Sequence, residues 1–184
     1  MSVEDMYLAT PCHELVPSYR AALERGWSPN TLVNKSKEAL AHLQENEAEH
    51  LLTHNGTPTW PMKLDDGTEV PHLPVIGRWI WDGEFCGIMR LRYQPGQQDV
   101  PPYILGNIGY SVVPWKENQG YATRALRLMM AEARMRKLRR LVIVCQPEKA
   151  ASRRVIEKCG GVLEDERIFL EYDPGVRCKY VLPL

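Results

Sequence analysis

Asn107–Thr123, NIGYSVVPWKENQGYAT, and Leu141–Gly161, LVIVCQPEKAASRRVIEKCGG, decide the reading of this chain. Asn107 to Pro114 has the composition of a buried strand, with Ile108, Tyr110, Val112 and Val113, no charge, and a proline to stop it. Trp115 to Gln119 is a short polar connection. From Gly120 the period changes, and Ala122, Leu126, Met129 and Ala133 recur at helical spacing on one face. A strand, a small-residue turn and a helix N-terminus in succession make an anion site. The first helical N–H groups lack partners, and the helix dipole places partial positive charge there. Gly120 allows a phosphate close to the backbone, and Ala122 is nearly as small. The loop by itself reads equally well as a tight connection. No Gly-Lys-Ser/Thr follows it and the three-glycine spacing is absent, so it is neither a Walker loop nor the dinucleotide fingerprint.

Leu141 to Cys145 is a second buried-type strand, and Gln146 to Ser152 leads into a helix with an apolar face of Ala151, Val155, Ile156 and Cys159. Gly160-Gly161 ends that helix as a C-cap. Three pieces then resemble the acyl-CoA-binding core of the GNAT N-acetyltransferase superfamily. They are Val112-x-Pro114; Asn118-Gln119-Gly120-Tyr121-Ala122-Thr123; and Ala151-Ser152 followed by Val155-Ile156-Glu157-Lys158-Cys159-Gly160. The resemblance is strong from Asn107 to Glu164 and looser over Trp79 to Arg92. Before that it extends only to the order of elements.

The resemblance implies an α/β, single-domain GNAT-like acyl-CoA N-acyltransferase fold over residues 1–184. It would be one mixed sheet with helices on both faces, and its acyl-CoA-binding core would span about 107–164. It implies acetyl-CoA as cosubstrate, no metal, and transfer of the acetyl group by direct attack of a primary amine of a small molecule, peptide or protein. The pyrophosphate would rest on Asn118, Gln119, Gly120, Tyr121, Ala122 and Thr123. The pantetheine arm would run along Val112 and Val113, with Lys149 and Ser152 contributing from the second helix. A backbone N–H near Val112 would polarise the thioester carbonyl. Tyr110, on the strand parity of Val112, and Asn107, where the strand enters, are the candidate catalytic residues, and His72 could reach in from a loop.

Three positions depart from the family pattern. Glu117 stands where Arg or Gln is usual and would repel phosphate unless it points to solvent or caps the helix. Lys149 replaces an Asn; it could pair with a CoA phosphate, as could Arg153. Ile156 occupies the position of a frequent Tyr acid, so that acid is missing or supplied elsewhere. These departures keep a rival reading open, a non-catalytic acyl-CoA-binding or regulatory module.

The 184 residues carry 23 basic and 23 acidic side chains, so net charge makes no case for nucleic acid or an anionic membrane as partner. No apolar run approaches the ~18 residues of a membrane-spanning helix. The acidic start Met1-Ser2-Val3-Glu4-Asp5 lacks the character of a signal peptide. Five scattered cysteines without a C-x-x-C pair fit reduced thiols, hence a cytoplasmic protein, and a homodimer is left open.

The rest of the chain reads as flanking layers. Met6 to Thr10 is a short strand, and Leu15, Tyr19, Ala22 and Leu23 form a helical stripe ended by Gly26. A second helical region covers roughly Asn30 to Leu52. His50 and His54 are spaced i, i+4, but the residues between them include no general base, which argues against a zinc helix. Thr53 to Pro74 is a long irregular stretch whose Trp60, Met62 and His72 either line a substrate pocket or tuck onto the core. Val75–Trp81 and Glu84–Arg92 form a hairpin around Asp82-Gly83. Val162–Tyr172 and Val176–Pro183 form another around Asp173-Pro174-Gly175.

Overall fold

The computed structural model describes residues 3–31, 33–64, 66–168 and 175–184. Seven strands among them form one mixed sheet. In chain order these are β1 (Tyr7–Ala9), β4 (Val75–Trp81), β5 (Phe85–Arg92), β6 (Ile108–Val112), β7 (Arg140–Cys145), β8 (Val162–Arg167) and β9 (Arg177–Pro183). Their spatial order is β1-β4-β5-β6-β7-β9-β8. The β6–β7 contact is parallel; the other neighbours are antiparallel. The expected turn at Asp173-Pro174 and the end of the expected strand at Tyr172 lie outside the described residues.

Helices cover both faces, as the alternation of strands and helices predicted. On one side lie α4 (Tyr121–Met135) and α5 (Ala150–Lys158), packed on Ile76, Ile80, Met89 and Leu91. On the other lie α1 (Val16–Glu24), α2 (Ser36–Glu45) and α3 (Glu47–His54); Trp79, Trp81, Phe85 and Ile88 of the sheet belong to this second core. The period-2 alternation along β5 thus feeds two cores.

Several expectations change in detail. The region from Asn30 to Leu52 is two helices preceded by a loop. Ser28 Oγ donates to the carbonyl of Asn30, and Asn34 Oδ1 accepts from the Ser36 N–H, so side chains satisfy the backbone without a helix. Asn46 breaks the remainder at φ −150°, ψ 86° and caps α3 by accepting from the Glu49 N–H. The stretch from Thr53 to Pro74 holds a small hairpin, β2 (Met62–Lys63) with β3 (Glu69–Val70). On α4 the core face includes Tyr121, Ala125, Leu126, Met129 and Ala133, while Ala122 turns to a cleft. On α5 only Ile156 is fully buried, and Ala151 faces the same cleft.

Candidate active site

The site begins as a failure of two strands to stay paired. β6 and β7 share one paired position, Ile108 with Ile143. Asn107 clamps that junction. Its N–H donates to the Val142 carbonyl, its Oδ1 accepts from the Val142 N–H at 2.8 Å, and its Nδ2 donates to the Arg92 carbonyl at 3.1 Å. Beyond the clamp the strands part, and a cleft of about 970 Å³ opens between them.

The backbone of β6 is therefore half used. The Val113 N–H donates to Cys86 and the Asn107 carbonyl accepts from Arg92, so odd-numbered residues bond to β5. In an antiparallel ladder the alternate residues turn their N–H and C=O the other way. For Tyr110 and Val112 that direction is the open cleft, which both line. An extended arm bearing amides can add there as a short strand.

The cleft ends at the N-terminus of α4. Asn118 and Gly120 both have positive φ, 58° and 92°. The Arg124 N–H donates to the Gly120 carbonyl, so the N–H groups of Tyr121, Ala122 and Thr123 precede the intrahelical ladder. Lys149, Arg154 and Lys158 also line the cleft, from successive positions along α5. Glu117 is exposed at its mouth and is the sole carboxylate among the described lining residues.

Two side-chain groupings flank the cleft. Tyr110 and Ser152 join their hydroxyls at 2.8 Å. Burial pushes the Tyr110 phenol up to about 12, so it keeps its proton at neutral pH and acts as a donor. At the other end Asp82, 2 % exposed, accepts from the Tyr121 hydroxyl and from Lys116 Nζ. Burial works against the Asp82 carboxylate, but hydrogen bonds from Lys116, Tyr121 and Cys86 outweigh it and hold its pKa below the ordinary value. Asp82 and Lys116 carry no motif; Asp82 was legible only as half of a turn signal.

The structure brings together Tyr110, Val112, Asn118, Gly120, Tyr121, Ala122, Thr123, Lys149 and Ser152 around one cleft. It does not bring Asn107, Val113 or Gln119 into that lining. Asn107 has both ends of its amide engaged at the strand junction. Val113 is buried in the opposite core with its N–H on Cys86. Gln119 donates to the Trp115 carbonyl at 3.1 Å. Arg153 turns away to donate to the Tyr180 hydroxyl at 3.0 Å, leaving Arg154 and Lys158 at the cleft. Met62 lines the cleft, whereas Trp60 and His72 lie together in a separate recess. No described cluster of His, Cys, Asp or Glu has the grouping to hold a metal. No helix among the described residues is long and apolar enough to cross a membrane.

Comparison with known proteins places this fold in a family. Residues 26–162 match the family model of the acetyltransferase (GNAT) domain, and the chain belongs to that family. It is an acyl-CoA-dependent N-acetyltransferase with acetyl-CoA as cosubstrate. The fold is shared with an acetyltransferase from Salmonella typhimurium that modifies the N-terminal serine of the 50S ribosomal subunit protein L7/L12. That match has TM-score 0.64 and 20% identity over 97% of this chain and 95% of that one. It is shared also with the microcin C7 self-immunity acetyltransferase MccE in complex with acetyl-CoA and AMP, at TM-score 0.63 and 12% identity over 97% and 92% of the two chains. A third is RimL, a ribosomal L7/L12 α-N-protein acetyltransferase in complex with coenzyme A, at TM-score 0.62 and 19% identity over 97% and 94%. No curated protein sequence matches the chain.

Proposed function

We propose that the acceptor is a primary amine of a small molecule, peptide or protein, which attacks the thioester of acetyl-CoA directly in the β6–β7 cleft. The observation that carries this reading is the open β6 edge leading to the α4 N-terminus. In it, backbone N–H groups of Tyr121 to Thr123, with Asn118 and Gly120 shaping the turn, receive the pyrophosphate. Tyr110 and Val112 offer backbone groups to the pantetheine amides, and the Val112 N–H faces the thioester oxygen. Lys149, Arg154 and Lys158 supply positive charge for phosphate.

The attacking amine must be neutral. With no histidine and one exposed carboxylate among the described lining residues, an α-amine (pKa ~8) suits the site better than a lysine amine (~10.4). RimL, a ribosomal L7/L12 α-N-protein acetyltransferase, supports the same choice. As the C–N bond forms and the C–S bond breaks, the Tyr110–Ser152 pair donates a hydrogen bond to the departing thiolate. The proton the thiolate finally takes is the one the amine loses. The five free cysteines favour a reducing, cytoplasmic setting.

A thermal melt with CoA, acetyl-CoA and an NAD control tests the site. Ligand at about 100 times its Kd adds ~2.7 kcal/mol, or roughly 5–10 °C for a chain of this size. Shifts with both CoA forms, none with NAD, and turnover of acetyl-CoA with an α-amine are the expected results. Tyr110→Phe should lower kcat by about 100-fold with the CoA shift retained. Failure of every CoA form to shift the melt would reject the proposed site.

A further inference from the structure

The cleft passes through the sheet, and its second side carries charge that the CoA reading does not use. Ile88 belongs to the core under α1–α3, so Arg90 and Arg92, two and four residues on, project from that same face of β5. Arg92 lines the cleft, and its guanidinium stands 3.6 Å from where a Cβ on Gly109 would be. Arg90 is paired across the sheet with glycine on both sides, Gly77 and Gly109, so no neighbouring side chain covers it laterally.

Both arginines are partly buried, and neither has a carboxylate partner among the described residues. The Arg90 Nε has no solvent access and no hydrogen-bond partner among the described residues. Burial, with Arg92 nearby, brings the Arg90 pKa down to about 10, and burial lowers that of Arg92 as well. Partly buried guanidinium groups without counter-charge are costly to a fold. Lys63 lines the same side of the cleft and adds a third cation. Arg92 and Lys63 thus put positive charge on this side of the cleft, with Arg90 beside Arg92.

We propose that the acceptor amine carries a carboxylate or phosphate group, which Arg92, backed by Arg90, holds on the sheet face opposite α4. The inference rests on the acetyltransferase reading of the cleft and names its substrate class. Gly109 and Val112 are three residues apart on β6, so the anion would sit within about 10 Å of the reacting amine. A bidentate guanidinium–carboxylate or guanidinium–phosphate pair at that distance would orient the amine as well as bind it.

Matched amines that differ only in the anionic group test this. One pair is a short peptide with aspartate or asparagine at its second position; the other is an aminoalkyl phosphate and its alcohol. The anionic member should show a kcat/KM higher by roughly 10- to 100-fold, and whichever pair shows it distinguishes peptide from small-molecule acceptors. Arg92→Gln should abolish that discrimination, Arg92→Lys should restore part of it, and the KM for acetyl-CoA should not move. Arg90→Gln should weaken discrimination in the same direction. A retained CoA-induced melting shift shows that each variant folds.

Binding of the same amines to the CoA complex, read by thermal melt, separates this proposal from the reading beneath it. Arg92-dependent binding of the anionic members without turnover would support the proposal while rejecting acetyl transfer to these amines. Equal binding of anionic and neutral twins, or a preference that survives Arg92→Gln, would overturn it.

Discussion

At Gly120 the demand is conformational. Its φ of 92° lies in the left-handed region, yet an added Cβ would meet only Val3 Cγ2, at 3.8 Å. The sequence reading asked for glycine so that a ligand could approach; the backbone asks for it first. Gly120→Ala should therefore cost about 1–2 kcal/mol of strain and weaken CoA binding by displacing the N–H groups of the next turn. Urea melts with and without CoA check this, and an unchanged midpoint and CoA shift would contradict it. Tyr110 and Ser152 could each be named from the sequence, but not their meeting. They lie on a strand and on a helix, and only the crossover through α4 and β7 brings their hydroxyls within 2.8 Å.

At the level of elements, the N-terminus of α4 is moored to the β4–β5 hairpin by Asp82. Tyr121 from the helix and Lys116 from the turn before it converge on one buried carboxylate. Asp82→Asn would leave Lys116, whose side chain is 15% exposed, without its buried counter-charge. Glu84 still pairs with it at 3.0 Å, so the loss should fall near the low end of the range for broken buried pairs, about 3 kcal/mol. CoA affinity should fall with it, because the turn proposed to receive the pyrophosphate is part of the mooring. Denaturant titration of the variant decides the matter; a loss under about 1 kcal/mol would show that the mooring is not structural. The hairpin itself was legible, because Asp-Gly between two apolar runs is a strong turn signal. That the same aspartate reaches α4 was not, since the sequence separation from Asp82 to Tyr121 is bridged only by tertiary packing.

Across the whole molecule, the α1–α3 layer is joined to the sheet by a directed polar chain. Trp79 Nε1 can only donate, so His54 Nδ1 accepts from it at 3.1 Å and neutral His54 carries its proton on Nε2. That proton faces the Tyr19 hydroxyl, which in turn faces His50 Nε2 at 2.9 Å, and His50 Nδ1 faces His42 at 3.1 Å. The chain works only with neutral imidazoles. Burial pushes His50 down to about 4 and His54 well below its usual 6.5. The unfolded chain binds protons below pH ~6.5 that the folded chain refuses, so stability should be level above that pH. It should fall as the pH drops toward 4, by up to about 1.4 kcal/mol per pH unit for each histidine. Thermal melts from pH 7.5 to 4.5 test this, and a midpoint that stays level throughout would exclude it. The i, i+4 spacing had shown that the two histidines share a helix face; the indole and phenol that make that face a hydrogen-bonded core come from β4 and α1.

By itself the sequence determined the alternation of strands and helices, the small-residue turn at Gly120, the Asp82-Gly83 hairpin and the glycine-ended second helix. These depend on local periodicity, on φ and on residue size, all of which are written in neighbouring residues. It also carried the family resemblance, because the turn and helix start that bear it, Asn118 to Thr123, are one contiguous segment. Tertiary structure decided where β6 and β7 separate, which side chains flank that opening, and which stay outside it. Asn107 and Val113 were adjacent to the right residues and still ended elsewhere, one as a clamp and one in the opposite core. Arg90 and Arg92 acquired their interest only from burial without a counter-charge. Burial and pairing are properties of packing between distant segments, and no local pattern records them.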